Sequence, residues 1–249
     1  MKRVFLPALS CAAALAAGAP PDLGLYRAIL QEHVLGNGTV RYAALHAGLE
    51  PLDRFVQQIA AVSPDSHPTL FPSREHRLVY WLNTYNALVL WAFAKDYPDN
   101  KDRLRGAVGR ALFFYRTKFT VGGRQRSLDD IETNSIRKPF AEPRIHFAIV
   151  CASTGCPWLA REPFTAEMLD RQLEKRTRLF LSQERNLRVD PAGRALTVSK
   201  IFDWFAKDFG GSADAVVRFI GRYRPEVARG AWKFRYLEYD WTLNDAGPR

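Results

Sequence analysis

The sequence predicts an α+β fold: one domain with a mostly helical N-terminal half and a C-terminal half mixing helices with antiparallel sheet. Three observations predict it. Apolar residues make up 47% of the 249-residue chain and charged residues 25%, the balance of a globular domain with a packed core. Apolar residues recur at helical spacing as far as about residue 95, and alternation with turn signals takes over after Phe113. Strands and helices do not alternate strictly, which separates this pattern from a parallel βαβ sheet. No segment recurs at a fixed period. Beyond the extreme N-terminus, no window holds the roughly 18 uninterrupted apolar residues of a membrane span.

The elements follow in chain order. Lys2 and Arg3 precede an Ala-rich apolar run over residues 4–17, with small residues near Ala14 and Ala16. This is the pattern of a secretory signal peptide over residues 1–19. The expected location is secreted or periplasmic, and residues 20–249 form the globular domain. Leu25, Ile29 and Leu30, then Leu52, Phe55, Val56 and Ile59, mark two helices separated by a turn at residues 36–42. Residues 63–72, rich in Pro, Ser and His, read as a loop. Residues 74–95 make the strongest helix. From Leu78 to Phe93 only Asn83, Thr84 and Asn86 are polar, so the helix is buried and these polar groups need partners.

Residues 115–121 and 124–128 read as a β-hairpin around Gly122-Gly123. Ser127 is the expected cap of a short helix, with Asp130 three residues later. Residues 144–151 read as a strand buried on both faces, with Ile145, Phe147 and Ile149 alternating with His146, Ala148 and Val150. Thr165 is expected to cap a helix bearing Leu169, Leu173 and Phe180. A second hairpin joins residues 187–189 to 195–198. A short aromatic helix spans 199–209, another helix 213–223, and a closing strand 234–241.

The formal net charge of +10 attracts polyanions. The cations are scattered, so specific nucleic-acid binding is not expected. The densest run, Arg103, Arg105, Arg110, Arg116, Lys118, Arg124 and Arg126, reads as a solvated surface.

Chemistry concentrates between Arg144 and Pro157, where His146, Cys151 and Cys156 fall close together. A thiol activated by an imidazole is one reading. On an extended strand His146 and Cys151 would face opposite sides, about 16 Å apart at roughly 3.3 Å per residue. Cys156, beyond a Ser-Thr-Gly turn, could fold back and is the favoured thiol. The other reading is a structural Cys151–Cys156 disulfide, suited to an exported protein. Two cysteines and one histidine fall short of a four-ligand zinc site, so no metal and no cofactor are expected. Asn83 could orient the imidazole, or bridge helix and loop by hydrogen bonds. Asn86 lies on the same seam. Glu132 pairs with Arg137 in this reading, while Trp204 and Asp208, near Asp203, line or close a cleft. No P-loop, Rossmann fingerprint, G-x-S-x-G or H-E-x-x-H motif is present.

Six segments together resemble the bacterial and plant domain-of-unknown-function family 547. They are residues 40–45 (Val-Arg-Tyr-Ala-Ala-Leu), 81–88 (Trp-Leu-Asn-Thr-Tyr-Asn-Ala-Leu), 127–132 (Ser-Leu-Asp-Asp-Ile-Glu), 144–157 with its His and two Cys, 204–209 (Trp-Phe-Ala-Lys-Asp-Phe) and 239–244 (Tyr-Asp-Trp-Thr-Leu-Asn). They run in family order over about residues 38–244. Phe205 stands where the family often has Tyr, which removes one hydroxyl. A buried helix followed by a strand beginning with His also looks like the papain-like and NlpC-type hydrolase core. In that core the nucleophilic Cys starts the helix, and here Asn83 holds the corresponding place. Two functions follow as expectations. One is a thiol- and His-dependent hydrolase or transferase acting on amide or ester bonds, with His146 as acid or base. The other is a non-catalytic envelope binding or assembly module. The partner would be a small-molecule, peptide or envelope substrate.

Overall fold

The computed structural model describes residues 18–227 and 231–247. The expected signal-peptide run through Ala17 lies outside the described residues.

Asp22 begins the first helix, α1 (Leu23–His33), by accepting from the Gly24 and Leu25 amides. The turn at residues 34–41 leads to α2 (Tyr42–Ala47) and α3 (Glu50–Ala61). Leu52, Phe55 and Ile59 recur at helical spacing on the buried face of α3. Phe55 stacks nearly parallel to Tyr26 of α1, with ring centroids 4.6 Å apart. The predicted central helix is α4 (Arg74–Lys95). The Ser73 hydroxyl accepts from the His76 amide at its start, and every residue from Leu78 to Leu90 is buried. Its ends are charged. Among the described residues no helix is long and apolar enough to cross a membrane.

α5 (Ala107–Ala111) runs on into a π-helical turn, Leu112–Arg116. The hairpin of β1 (Phe119–Val121) and β2 (Arg124–Arg126) forms where expected. Gly122 adopts a φ of +56°, and a Cβ there would meet the Ser63 hydroxyl at 2.1 Å, so both conformation and space require glycine. Ser127 caps α6 (Leu128–Asp130) by accepting from the Asp130 amide. The chain continues helically through a π-helical stretch, Ile131–Arg137, into α7 (Lys138–Phe140).

The expected strand at 144–151 does not form. Pro143 opens a 3-10 turn, Pro143–Phe147, whose first free amide, on Arg144, is capped by the Glu142 carboxylate. The apolar alternation there reflects burial on all sides, which periodicity cannot distinguish from a strand. α8 (Leu169–Leu181) follows a 3-10 turn, Ala166–Met168. The Thr165 side chain makes no cap bond, because the 3-10 turn intervenes. β3 (Leu187–Asp190) and β4 (Ala195–Val198) form the second hairpin. The aromatic segment splits into α9 (Ile201–Trp204) and a 3-10 turn, Ala206–Phe209. Then come α10 (Ala213–Gly221) and β5 (Lys233–Tyr236).

β5 pairs with β4 in parallel, so the C-terminal sheet is mixed rather than antiparallel. α10 lies in the connection and brings the chain back to run the same way, as a parallel pair requires. The fold remains a single α+β domain.

Two apolar clusters make up the core. The larger gathers around α4, with α1, α3 and the β1–β2 hairpin packed on it. The smaller is aromatic and holds Phe147, Phe180, Phe202, Phe209 and Phe219. Ile145 and Ala148 belong to the first cluster and Phe147 to the second. The short turn carrying His146 therefore lies along the seam between them.

Candidate functional site

The seam opens into a cleft of about 550 Å³ lined by His146, Cys151, Cys156, Glu132, Arg137 and Trp204 among others. Its walls come from residues far apart in sequence, placed by specific hydrogen bonds.

Asn86 on α4 donates to the Ala148 carbonyl at 2.9 Å and accepts from the Val150 amide at 3.0 Å. A single side chain thus satisfies both backbone directions of the segment leading to Cys151, as a neighbouring strand would. Asn83 does the same on the far side, donating to the Phe164 carbonyl and accepting from the Phe164 amide, each at 2.9 Å. The cleft is not lined by Asn83, so of its two expected roles the structure has the hydrogen-bonded bridge between helix and loop. Asn86 likewise spends its amide on backbone, so neither asparagine orients His146.

The imidazole is held from α9 and the turn after it. His146 Nε2 lies 2.7 Å from an Asp208 carboxylate oxygen. Arg137 grips the same carboxylate with two nitrogens, at 2.7 and 3.2 Å. Phe205 lies nearly flat on the imidazole at 4.1 Å, and the Arg137 guanidinium sits over the other ring at 4.8 Å. Arg137 therefore pairs with Asp208, not with Glu132 as its spacing suggests. The hydrogen bond from His146, joined by that from Arg137, holds the Asp208 carboxyl well below the usual carboxylate range. A carboxylate on Nε2 implies that Nε2 carries the proton and that Nδ1 is the basic nitrogen. Burial lowers the His146 pKa despite Asp208, so the ring is neutral near pH 7.

The expected disulfide is not there: Cys151 and Cys156 are both free thiols. The Ser153–Cys156 turn, closed by the Cys156 amide on the Ser153 carbonyl, brings the Cys156 sulfur against the backbone of Cys151. It accepts from the Cys151 amide at 2.8 Å. Arg185 holds the turn from outside, donating to the Thr154 and Cys156 carbonyls. Gly155 packs against the backbone of Asp240, which a Cβ would meet at 2.9 Å.

The two thiols differ. Cys156 is buried, and burial together with its contact to Cys151 pushes its pKa well up. Cys151 is half-buried, with Ser153 Oγ at 3.0 Å and Tyr239 Oη at 3.3 Å from its sulfur. Burial alone would raise the Cys151 pKa. Hydrogen bonds from Cys156, Ser153 and Tyr239 outweigh it and bring the thiol down to about 7. Cys151 is thus the more acidic of the two, where the sequence favoured Cys156 as the thiol.

Glu132 completes the titratable set. Burial raises its pKa to about 7, against the lowering effects of Arg137 and of the Tyr85 hydroxyl, which donates to it at 3.2 Å. Trp204 stands at the rim with Tyr239 and Trp241, centroids 4.8 and 5.4 Å away. Among the described residues no group of three or more His, Cys, Asp or Glu is arranged to hold a metal.

The cleft thus brings together His146, Cys151, Cys156, Glu132 and Trp204, while Asp208, expected to line or close it, stands behind His146 and Arg137 and reaches it only through them; Asn83 and Asn86 are scaffolding. Sequence reasoning missed Arg137 as the partner of Asp208, and the hydroxyls of Tyr85 and Tyr239. Both tyrosines lie inside quoted segments, 81–88 and 239–244, so their signal was present without a role attached.

A family model matches residues 70–181; the family's description is "Protein of unknown function, DUF547". No curated protein matches the chain, and no solved structure does. The papain-like likeness is not confirmed by these comparisons, and the strand expected to carry His146 is a 3-10 turn here.

Proposed function

We propose that this protein, whose residues 70–181 are matched by the DUF547 family model, is a thiol-dependent hydrolase or transferase acting on ester or amide bonds, with Cys151 as nucleophile. The observation that carries the reading is one cleft with a thiol brought to about 7 on one wall and a carboxylate-held imidazole on another. A reactive cysteine is partly exposed and held by neighbours that favour its thiolate, as Cys151 is, whereas a buried structural cysteine is inert.

The roles follow from the chemistry. The Cys151 thiolate attacks the carbonyl carbon of the substrate and forms a sulfur–carbon bond. As the tetrahedral intermediate collapses, the bond to the alcohol or amine breaks, and the leaving group takes a proton from an acid in the cleft. Glu132 suits that step, since at about 7 it is part protonated near neutral pH. His146 accepts a proton at Nδ1 from the water or acceptor alcohol as that oxygen attacks the thioester, and the sulfur–carbon bond breaks to release the acid or new ester and return the Cys151 thiolate. Asp208, fixed by Arg137, holds the ring and stabilises its charged form.

A second reading keeps one observation of its own. The His146 side chain is only 1% exposed, and Asp208 and Arg137 tie it to two other elements. A binding module would use that trio purely to bolt the seam together.

The experiment is a panel of activated esters, thioesters and amides assayed with wild type, Cys151→Ser and Cys156→Ala. The expected outcome is turnover that disappears in Cys151→Ser and survives, reduced, in Cys156→Ala. Turnover unchanged in Cys151→Ser, or none in wild type across the panel, contradicts the enzyme and supports the binding module.

A further inference from the structure

The cleft has an unusual doorstep. Val108, Leu112 and Tyr115 are the most exposed large apolar side chains among the described residues, at 73%, 54% and 59%. They fall within eight residues along the continuous stretch of α5 and its π-helical turn, and all three side chains project into solvent. Phe113, next to Leu112 in sequence, turns inwards into the core and anchors the stretch. Phe114 and Tyr115, with Arg110, line the cleft itself. Trp204, 45% exposed, stands on the same rim. An apolar face of this kind at the mouth of a site marks an interaction surface.

The charges around it narrow the partner. Lys101, Arg116 and Lys118 are exposed, and among the described residues none has a carboxylate within ion-pair distance. Nearby Arg103 and Arg105 are paired with Asp96 and Asp102. A second copy of a chain with a net charge of +10 would bring like charges to this face. Cations beside an exposed Tyr and aliphatic side chains match the headgroup and upper acyl layers of an anionic bilayer.

We infer that residues 107–118 form a membrane-docking face that seats the mouth of the cleft on an anionic lipid surface. Val108, Leu112 and Tyr115 enter the interface, and Arg116 and Lys118 meet lipid phosphates. The cleft then opens towards the bilayer and admits amphiphilic substrates from it. This goes beyond the proposed chemistry and does not depend on it, because vesicle binding is read without turnover.

The test is co-sedimentation of the full chain with phosphatidylcholine vesicles, with and without phosphatidylglycerol, at low and high salt. Wild type should bind the anionic vesicles, less so at high salt. Two variants separate the contributions, Val108→Ser/Leu112→Ser/Tyr115→Ser and Arg116→Glu/Lys118→Glu. Each should weaken binding about tenfold or more while melting like wild type, since all five side chains are exposed. Failure of wild type to bind anionic vesicles overturns the inference. Equal binding by the serine variant also overturns it, since charge adsorption alone would then suffice.

Discussion

Glu132 is the residue whose energetics are easiest to read. Burial raises its carboxyl from an ordinary 4.5 to about 7, and neither Arg137 nor Tyr85 cancels that. Between those two values the folded chain holds a proton that the unfolded chain has released. Stability contributed by this group therefore falls as pH rises through the window. Glu132→Gln removes the titration while keeping an acceptor for the Tyr85 hydroxyl. Denaturant midpoints measured across that range should decline less with pH in the variant than in wild type. Parallel declines would mean that the carboxyl is solvated and ordinary. At this scale the sequence showed residue types well and pairings poorly. His146, Cys151 and Glu132 stood out because thiols, imidazoles and acids are few in apolar surroundings. Arg137 was matched to Glu132, five positions away, because a carboxylate seventy-one residues along the chain is invisible without the fold.

Among the elements, α4 does the most to place the chemistry. Its uninterrupted burial forces Asn83 and Asn86 to find partners inside the protein. Each finds one backbone segment and satisfies it twice. Asn86→Ala leaves the Ala148 carbonyl and Val150 amide without partners, at about 1 to 3 kcal/mol each. The expected loss is about 2 to 6 kcal/mol in denaturant unfolding, and the isosteric Asn86→Asp should not rescue it, because a carboxylate has no N–H for the Ala148 carbonyl. A variant as stable as wild type would show that the 148–150 segment is held by packing alone. That α4 is buried, and that its amides need partners, was legible from spacing. The 3-10 turn at residues 143–147 was not. A segment apolar on every side gives the same pattern whether extended or coiled, and only Pro143 hinted at the turn. This one difference matters for function, because an extended strand would have turned His146 and Cys151 to opposite faces.

The whole molecule closes through its C-terminal segment. Asn244 accepts from the Tyr42 hydroxyl at 3.0 Å and donates to the Gly38 carbonyl at 3.0 Å, while its amide bonds the Ala152 carbonyl. Tyr239, a few residues earlier, supplies a hydroxyl to Cys151. The segments quoted from residues 81–88, 127–132, 144–157, 204–209 and 239–244 thus converge on one cleft, although they span the chain, and segment 40–45 is tied in through the Tyr42 bond to Asn244. Their order was legible in the sequence, and so was the α+β class. Their convergence was not, nor was the parallel β5, since both depend on long-range pairing. The central claim, that Cys151 is the nucleophile of this cleft, is tested most directly by trapping its acyl intermediate. Wild-type protein treated briefly with an activated acetyl ester and digested without thiols should carry one acetyl group, on the peptide at Cys151. His146→Gln should keep that acyl group longer, with deacylation slowed by about 10² to 10⁴. Acetyl located by fragmentation on Cys156, or found on surface lysines, with Cys151 itself unmodified, would contradict the account.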